Sequence, residues 1–371
     1  MRIYLVALLM VMSVALTAQQ KPPELTGTLS FDVESGSGRV ERIAVQIGDG
    51  GTGRYKAILA GDPSLPTHAI YRPRDLSPFG PKRLLPIVAF GNGGCRNGSG
   101  EFRNFLSDMA SHGYLVVAIG PAGDAVVAGS EGRTNQTQAS QLLDGVEWAI
   151  KEHARQGSDY FGKVDVSNVA VMGQSCGTRQ ALEVSGDPRV KTTVLLNGGP
   201  GLGGGRGRGA TAAQTPGATA PPAAMLAALD KMNRRYAPYA PAMQPVPGES
   251  TSPPSGPPPD YLAALHAPIA FINGGPKDLA YNSAVSGFEA VQKVIALHAW
   301  QDVGHYPATF RQPNGGAFAV AVNAWLDWHL KGDRAASQMF VGPACGLCKD
   351  NKWNIQMKNV ASDTGQPIRR P

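Results

Sequence analysis

Unbroken apolar runs, separated by stretches of helical periodicity, leave this chain few architectures to adopt. Leu84–Phe90, Tyr114–Ile119, Val169–Met172, Val190–Asn197, Pro268–Ile272 and Ile295–Trp300 each read as a strand buried on both faces. Between them, helical spacing runs through Glu101–His112, Gln138–His153, a stretch containing Ala181, Leu182 and Val184, Val285–Val294 and Ala317–Leu330. Strands hidden on both sides and alternating with amphipathic helices form a mostly parallel central sheet with helices on both faces. Residues 25–75 instead alternate polar and apolar in short runs such as Arg42–Ile47 and His68–Tyr71, which predicts edge strands and turns.

The alternation breaks once. From Gly198 to Asp260, 11 Gly and 13 Pro fall within 63 residues, a low-complexity share. The chain therefore divides into a first part of an α/β domain over 21–198 and a flexible Gly/Pro-rich insertion in the lid position over 199–260. A second part of the domain follows over 261–334, then a C-terminal tail over 335–371. One short helix is expected inside the insertion, near Ala223–Arg235.

Composition excludes several classes. A hydrophobic share of 42% is globular, which rules out wholesale disorder, coiled coil and collagen. The net charge of +6 comes from scattered residues, and the densest basic spots, Arg206 with Arg208 and Arg234 with Arg235, are too thin for a nucleic-acid groove. Only residues 1–20 form a long apolar run, so a polytopic membrane protein is excluded. That run has Arg2 ahead of an apolar core from Ile3 to Leu16 and small residues at Thr17 and Ala18, the pattern of a cleaved secretory signal. A secreted or periplasmic location follows, and the four cysteines can all pair there.

The chemistry concentrates after the third buried run. Val169–Met172 leads straight into Gly173-Gln174-Ser175-Cys176-Gly177, and helical spacing follows. A G-x-S-x-G in a strand, turn, helix context lifts the serine hydroxyl above the sheet edge, with glycines where side chains would collide with backbone. A serine needs a base to take its proton and a third group to orient that base. His305, in the loop after Ile295–Trp300, is the expected base. Asp278, in the loop after Pro268–Ile272, is the expected acid, with Asp302 as its rival.

The developing negative charge on an acyl substrate needs backbone N–H donors. Cys176, directly after the nucleophile, is one candidate. The loop Gly91-Asn92-Gly93-Gly94-Cys95 supplies the other through Cys95 or Gly94. Two N–H groups converging on one oxygen bring their Cα atoms near disulfide range, which predicts a Cys95–Cys176 disulfide. Cys345 and Cys348 are expected to form a local one. No cofactor or metal is expected. Trp300, Tyr306, Phe310 and Tyr281 lie near the triad loops, either lining an apolar cleft or belonging to the core.

These residues resemble the α/β-hydrolase superfamily, in particular its dienelactone hydrolase-like and cutinase or polyester hydrolase-like branch. Ala110-Ser111-His112-Gly113-Tyr114 with Val116-Val117 is similar to that branch's A-S-H-G-[FY]-x-V-V entry, and Tyr160–Asp165 with Val169–Gly177 to its Y-G-K-V-D and V-x-V-M-G-x-S-x-G segment. The resemblance implies an esterase mechanism with Ser175, Asp278 and His305 in the three roles. It covers about residues 66–198 and 261–334. The chain departs from the branch at Cys176, where Met is usual, at Thr178, where a second Gly is usual, and at Asn197-Gly198-Gly199, where an aromatic is common. The resulting expectation is a monomeric, exported serine ester hydrolase acting on a small-molecule or polymeric ester, with no nucleic-acid partner and no stable membrane anchor. The alternatives are a serine peptidase, a polyester hydrolase, or a non-catalytic binding protein on the same fold.

Overall fold

The computed structural model describes residues 44–46, 50–122, 137–201, 260–305, 310 and 312–360. The leader at 1–20, nearly all of the insertion, its expected helix, both dense basic spots and Tyr306 lie outside the described residues.

Ten strands form one sheet. They are β1 (Ala44–Gln46), β2 (Ala57–Ala60), β3 (His68–Pro73), β4 (Leu85–Gly91), β5 (Leu115–Ile119), β6 (Val164–Gln174), β7 (Val190–Leu196), β8 (Ile269–Asn273), β9 (Ala296–Trp300) and β10 (Asn354–Lys358). Their order across the sheet is β1-β2-β3-β5-β4-β6-β7-β8-β9-β10. The middle, from β5 to β9, is parallel throughout, while β1, β2, β3 and β10 pair antiparallel at the flanks. β4 and β5 are buried at every position, as strands covered on both sides must be.

Helices cover each face. α1 (Arg103–Ser111) and α5 (Gly316–Leu330) contribute Phe105, Met109, Phe318 and Trp325 to one core. α2 (Ser140–Ala154), α3 (Cys176–Val184) and α4 (Tyr281–Ala290) contribute Leu142, Val146, Leu182 and Phe288 to the other. None of the described helices is long and apolar enough to cross a membrane.

Three elements differ from the sequence expectation, the first being β6, which begins at Val164 rather than Val169. α4 runs over 281–290, not 285–294, because its buried stripe is Ala284, Gly287 and Phe288, and Val291 is already extended to lead towards β9. The tail after residue 334 belongs to the sheet rather than trailing from it. It closes with a short helix, α6 (Gly346–Lys349), and β10, which pairs with β9 from Asn354↔Trp300 to Lys358↔Ala296. Phe340, Cys345, Leu347 and Trp353 join the first core, and a disulfide links Cys345 to Cys348.

Parallel register brings the ends of β4, β6, β7, β8 and β9 to one edge. Gly91 pairs with Gly173, Gln174 with Leu196, Leu196 with Ile272, and Asn273 with Trp300. Loops leaving this edge carry Gly94, Ser175, Asn197, Asp278 and His305, and open α/β sheets bind their ligands at such an edge.

The tail's packing predicts that Trp353→Ala, which removes a ring 5.6 Å from that of Phe318, lowers unfolding stability. The loss, read by denaturant titration, should be about 3–5 kcal/mol, as for other buried aromatics cut to alanine.

Candidate active site

Ser175 stands between β6 and α3 with φ 52° and ψ −116°. A non-glycine residue rarely adopts this conformation unless its surroundings dictate it. Here they do: Ser175 N–H donates to the Leu196 carbonyl at 2.9 Å, and its own carbonyl accepts from Thr178 N–H at 3.0 Å and Thr178 Oγ1 at 2.6 Å. A Cβ on Gly173 would lie 2.1 Å from the Gly177 oxygen, and one on Gly177 would lie 2.2 Å from the Gly91 oxygen. The turn therefore closes only with glycine at both positions.

The side chain of Thr178 occupies the space that a Cβ at position 198 would need, 2.2 Å from Thr178 Oγ1. Gly198 therefore complements Thr178, and Thr178 returns a hydrogen bond to the elbow.

Ser175, His305 and Asp278 form one hydrogen-bonded chain. Ser175 Oγ lies 2.9 Å from His305 Nε2, and His305 Nδ1 lies 2.6 Å from Asp278 Oδ1. An ionised carboxylate only accepts, so Nδ1 carries the proton and Nε2 is left to accept from the serine hydroxyl. His305 is 9% exposed and Asp278 1%. Burial pushes the Asp278 carboxyl up, but the hydrogen bond and charge of His305 and the N–H groups of Gly274 and Ala280 outweigh it, holding the pKa below the ordinary carboxylate value. The acid is therefore ionised at neutral pH.

Asp302, the rival acid, is turned away. Its carboxylate accepts from Lys277 Nζ at 2.7 Å on the surface, which joins the acid loop to the base loop from outside.

Asn197 is a further member of this site that no catalytic motif points to. It is fully buried at the end of β7 with φ 48°, and its Nδ2 donates to Asp278 Oδ2 at 2.7 Å. Gly274 N–H reaches the same oxygen at 3.0 Å, and Ala280 N–H reaches Oδ1 at 2.8 Å. The carboxylate thus accepts four hydrogen bonds, from the ends of β7 and β8 and from the loop after β9. An Asn-Gly pair closing a buried strand is the one local signal, since Asn tolerates positive φ.

The loop after β4 forms a 3-10 turn, Gly93–Cys95, facing the start of α3. A disulfide joins Cys95 to Cys176, with Cα atoms 5.2 Å apart. Cys176 is the first residue of α3, where N–H groups have no intrahelical partner. Cys95 N–H donates to the Asn92 carbonyl at 3.1 Å, so of the two loop donors considered, Gly94 is the one not engaged inside the turn.

The aromatic residues separate into two groups. Phe310 packs edge-on against Phe102, Phe105 and Phe318 at centroid distances of 5.2–5.6 Å and belongs to the core. Tyr281 and Trp300 are half-buried with centroids 5.6 Å apart, and Trp300 stacks on His298, whose pKa burial pushes down to about 4. Among the described residues, no group of three or more His, Cys, Asp or Glu is arranged to hold a metal ion.

The arrangement is equipped to take a proton from Ser175, hold it on His305 beside a fixed negative charge, and present backbone donors to an oxyanion. No family model matches the chain, and a comparison with curated proteins finds no match.

Asp278→Asn tests the proton relay. An amide that donates toward Nδ1 selects the other imidazole tautomer, and turnover of an ester should fall roughly 10⁴-fold with the fold intact, measured by steady-state kinetics beside a thermal melt.

Proposed function

We propose that the protein is an exported serine hydrolase of the α/β-hydrolase fold that cleaves carboxylic esters through an acyl-enzyme. The observation that carries this reading is the continuous hydrogen-bonded chain Asp278–His305–Ser175, with the serine held at positive φ on a strand-to-helix turn. A serine engaged only in structure has no need of this conformation, nor of an imidazole backed by an ionised carboxylate.

Ser175 Oγ attacks the ester carbonyl carbon as its proton passes to His305 Nε2. The carbonyl oxygen becomes an oxyanion that the N–H groups of Cys176 and Gly94 receive. The tetrahedral species collapses, the C–O bond to the alcohol breaks, and the alkoxide leaves with the proton from His305. Water then attacks the acyl-enzyme carbonyl, giving its proton to the same nitrogen. Collapse releases the carboxylic acid and restores the Ser175 hydroxyl. Asp278 holds the imidazole orientation throughout and stabilises its cationic form.

The two disulfides support a location outside the reducing cytosol. The leader-like pattern of residues 1–20 supports the same reading.

Hydrolysis of p-nitrophenyl esters from acetate to laurate, with wild type and Ser175→Ala side by side, tests the proposal. Wild type should turn over part of the series, and the mutant should lose at least roughly 10³-fold in kcat. Equal activity in the two proteins would contradict it, and a folded wild-type protein inert to every ester would favour a binding protein.

A further inference from the structure

The peptide between Gly93 and Gly94 is where the proposed oxyanion site is most easily lost. With no Cβ on either side, rotation of this peptide plane meets little steric resistance. A flip would turn the Gly93 carbonyl toward the position of the Gly94 N–H and set a negative end where a positive one is needed. Something must hold the plane.

Arg96 does so directly. Its Nε donates to the Gly93 carbonyl at 3.0 Å, and its own backbone N–H donates to the same oxygen at 3.4 Å. The guanidinium is held in turn, with its two terminal nitrogens 3.3 and 2.9 Å from the two carboxylate oxygens of Glu101. This pair is half-buried at the mouth of the turn. Two neighbouring carbonyls are also pinned. Asn92 oxygen accepts from Cys95 N–H at 3.1 Å, and Cys95 oxygen accepts from Thr137 N–H and Oγ1, each at 3.0 Å. Thr137 is fixed by Gln180 Nε2, at 2.7 Å to its oxygen and 2.9 Å to its hydroxyl.

The geometry points to Arg96 as a positioning residue for the oxyanion site: by clamping the Gly93 carbonyl, it holds the Gly94 N–H toward the space in front of Ser175. In a trans peptide the two bonds point to opposite sides, so fixing one aims the other. The cation also polarises the amide through its carbonyl, which makes the N–H a stronger donor. Arginine suits the task because its planar fork binds a carboxylate with two nitrogens and leaves Nε for the carbonyl. Glu101 supports the clamp. The inference rests on the ester-hydrolase reading of this site.

The test compares wild type, Arg96→Ala, Arg96→Lys and Glu101→Gln on p-nitrophenyl butyrate, with thermal melts of each. Arg96→Ala should lose about ten- to a hundred-fold in kcat, since a single oxyanion donor is worth about 10²–10³ and is here misplaced rather than removed. KM should stay within about twofold, because the interaction is made in the transition state. Affinity for a trifluoromethyl ketone should weaken by the same factor as kcat. Arg96→Lys keeps charge without the fork and should recover only part of the loss. Should Arg96→Ala fail to fold, Glu101→Gln keeps the arginine but loosens it, and the same pattern is expected at smaller size. Folded variants with unchanged kcat, or with a rise in KM alone, would overturn the inference. Failure of the esterase reading looks different: the wild-type protein itself is then inert, and the inference falls with it.

Discussion

The carboxylate of Asp278 is where the ends of three neighbouring strands are tied together. It accepts from Asn197 at the end of β7, from Gly274 and Ala280 in the loop after β8, and from His305 in the loop after β9. A carboxylate this deeply buried is costly unless its lone pairs are filled. Four donors fill them, so placing the charge and placing the imidazole are one event. Position 197 shows how specific the arrangement is: a strand-closing residue must take positive φ and also extend an amide to a neighbouring loop, which asparagine does.

A second tie fastens the other side of the site. The Cys95–Cys176 disulfide, spanning 81 residues of sequence, ties Cys176, one candidate oxyanion donor, to the loop that carries the other, Gly94. Hydrogen bonds fix the carbonyl side of the 3-10 turn, and the elbow of Ser175 is fixed by Leu196 and Thr178. Ser175 and the candidate donors are thus held by the fold itself, the condition under which backbone dipoles stabilise a transition state most effectively.

What the sequence revealed and what it hid follow from range. Strands β4, β5 and β8 are legible because burial on both faces writes an apolar run into each, whereas β6 shows only its second half, since Asp165, Ser167 and Asn168 interrupt the first. The turn at Ser175 is legible because its glycines are needed locally, and the Cys95–Cys176 pair because the loop after β4 meets the start of α3. β10 was not legible: Asn354–Lys358 is half-exposed at the sheet edge and carries no such run. Arg96 leaves no local pattern, since it acts through a carbonyl, and Asn197 leaves only its Asn-Gly pair, since its carboxylate partner lies 81 residues away. The fit of Thr178 against Gly198 is likewise tertiary, since a Cβ at position 198 would collide with the Thr178 side chain.

In the proposed mechanism Ser175 carries the acyl group. Mass spectrometry of the protein quenched during turnover of a slow p-nitrophenyl ester, followed by peptide mapping, would detect it. One added acyl group per chain is expected, on the peptide containing Ser175, and it should disappear as the ester is exhausted. Turnover with no adduct, or with the acyl group on another residue, would contradict that mechanism.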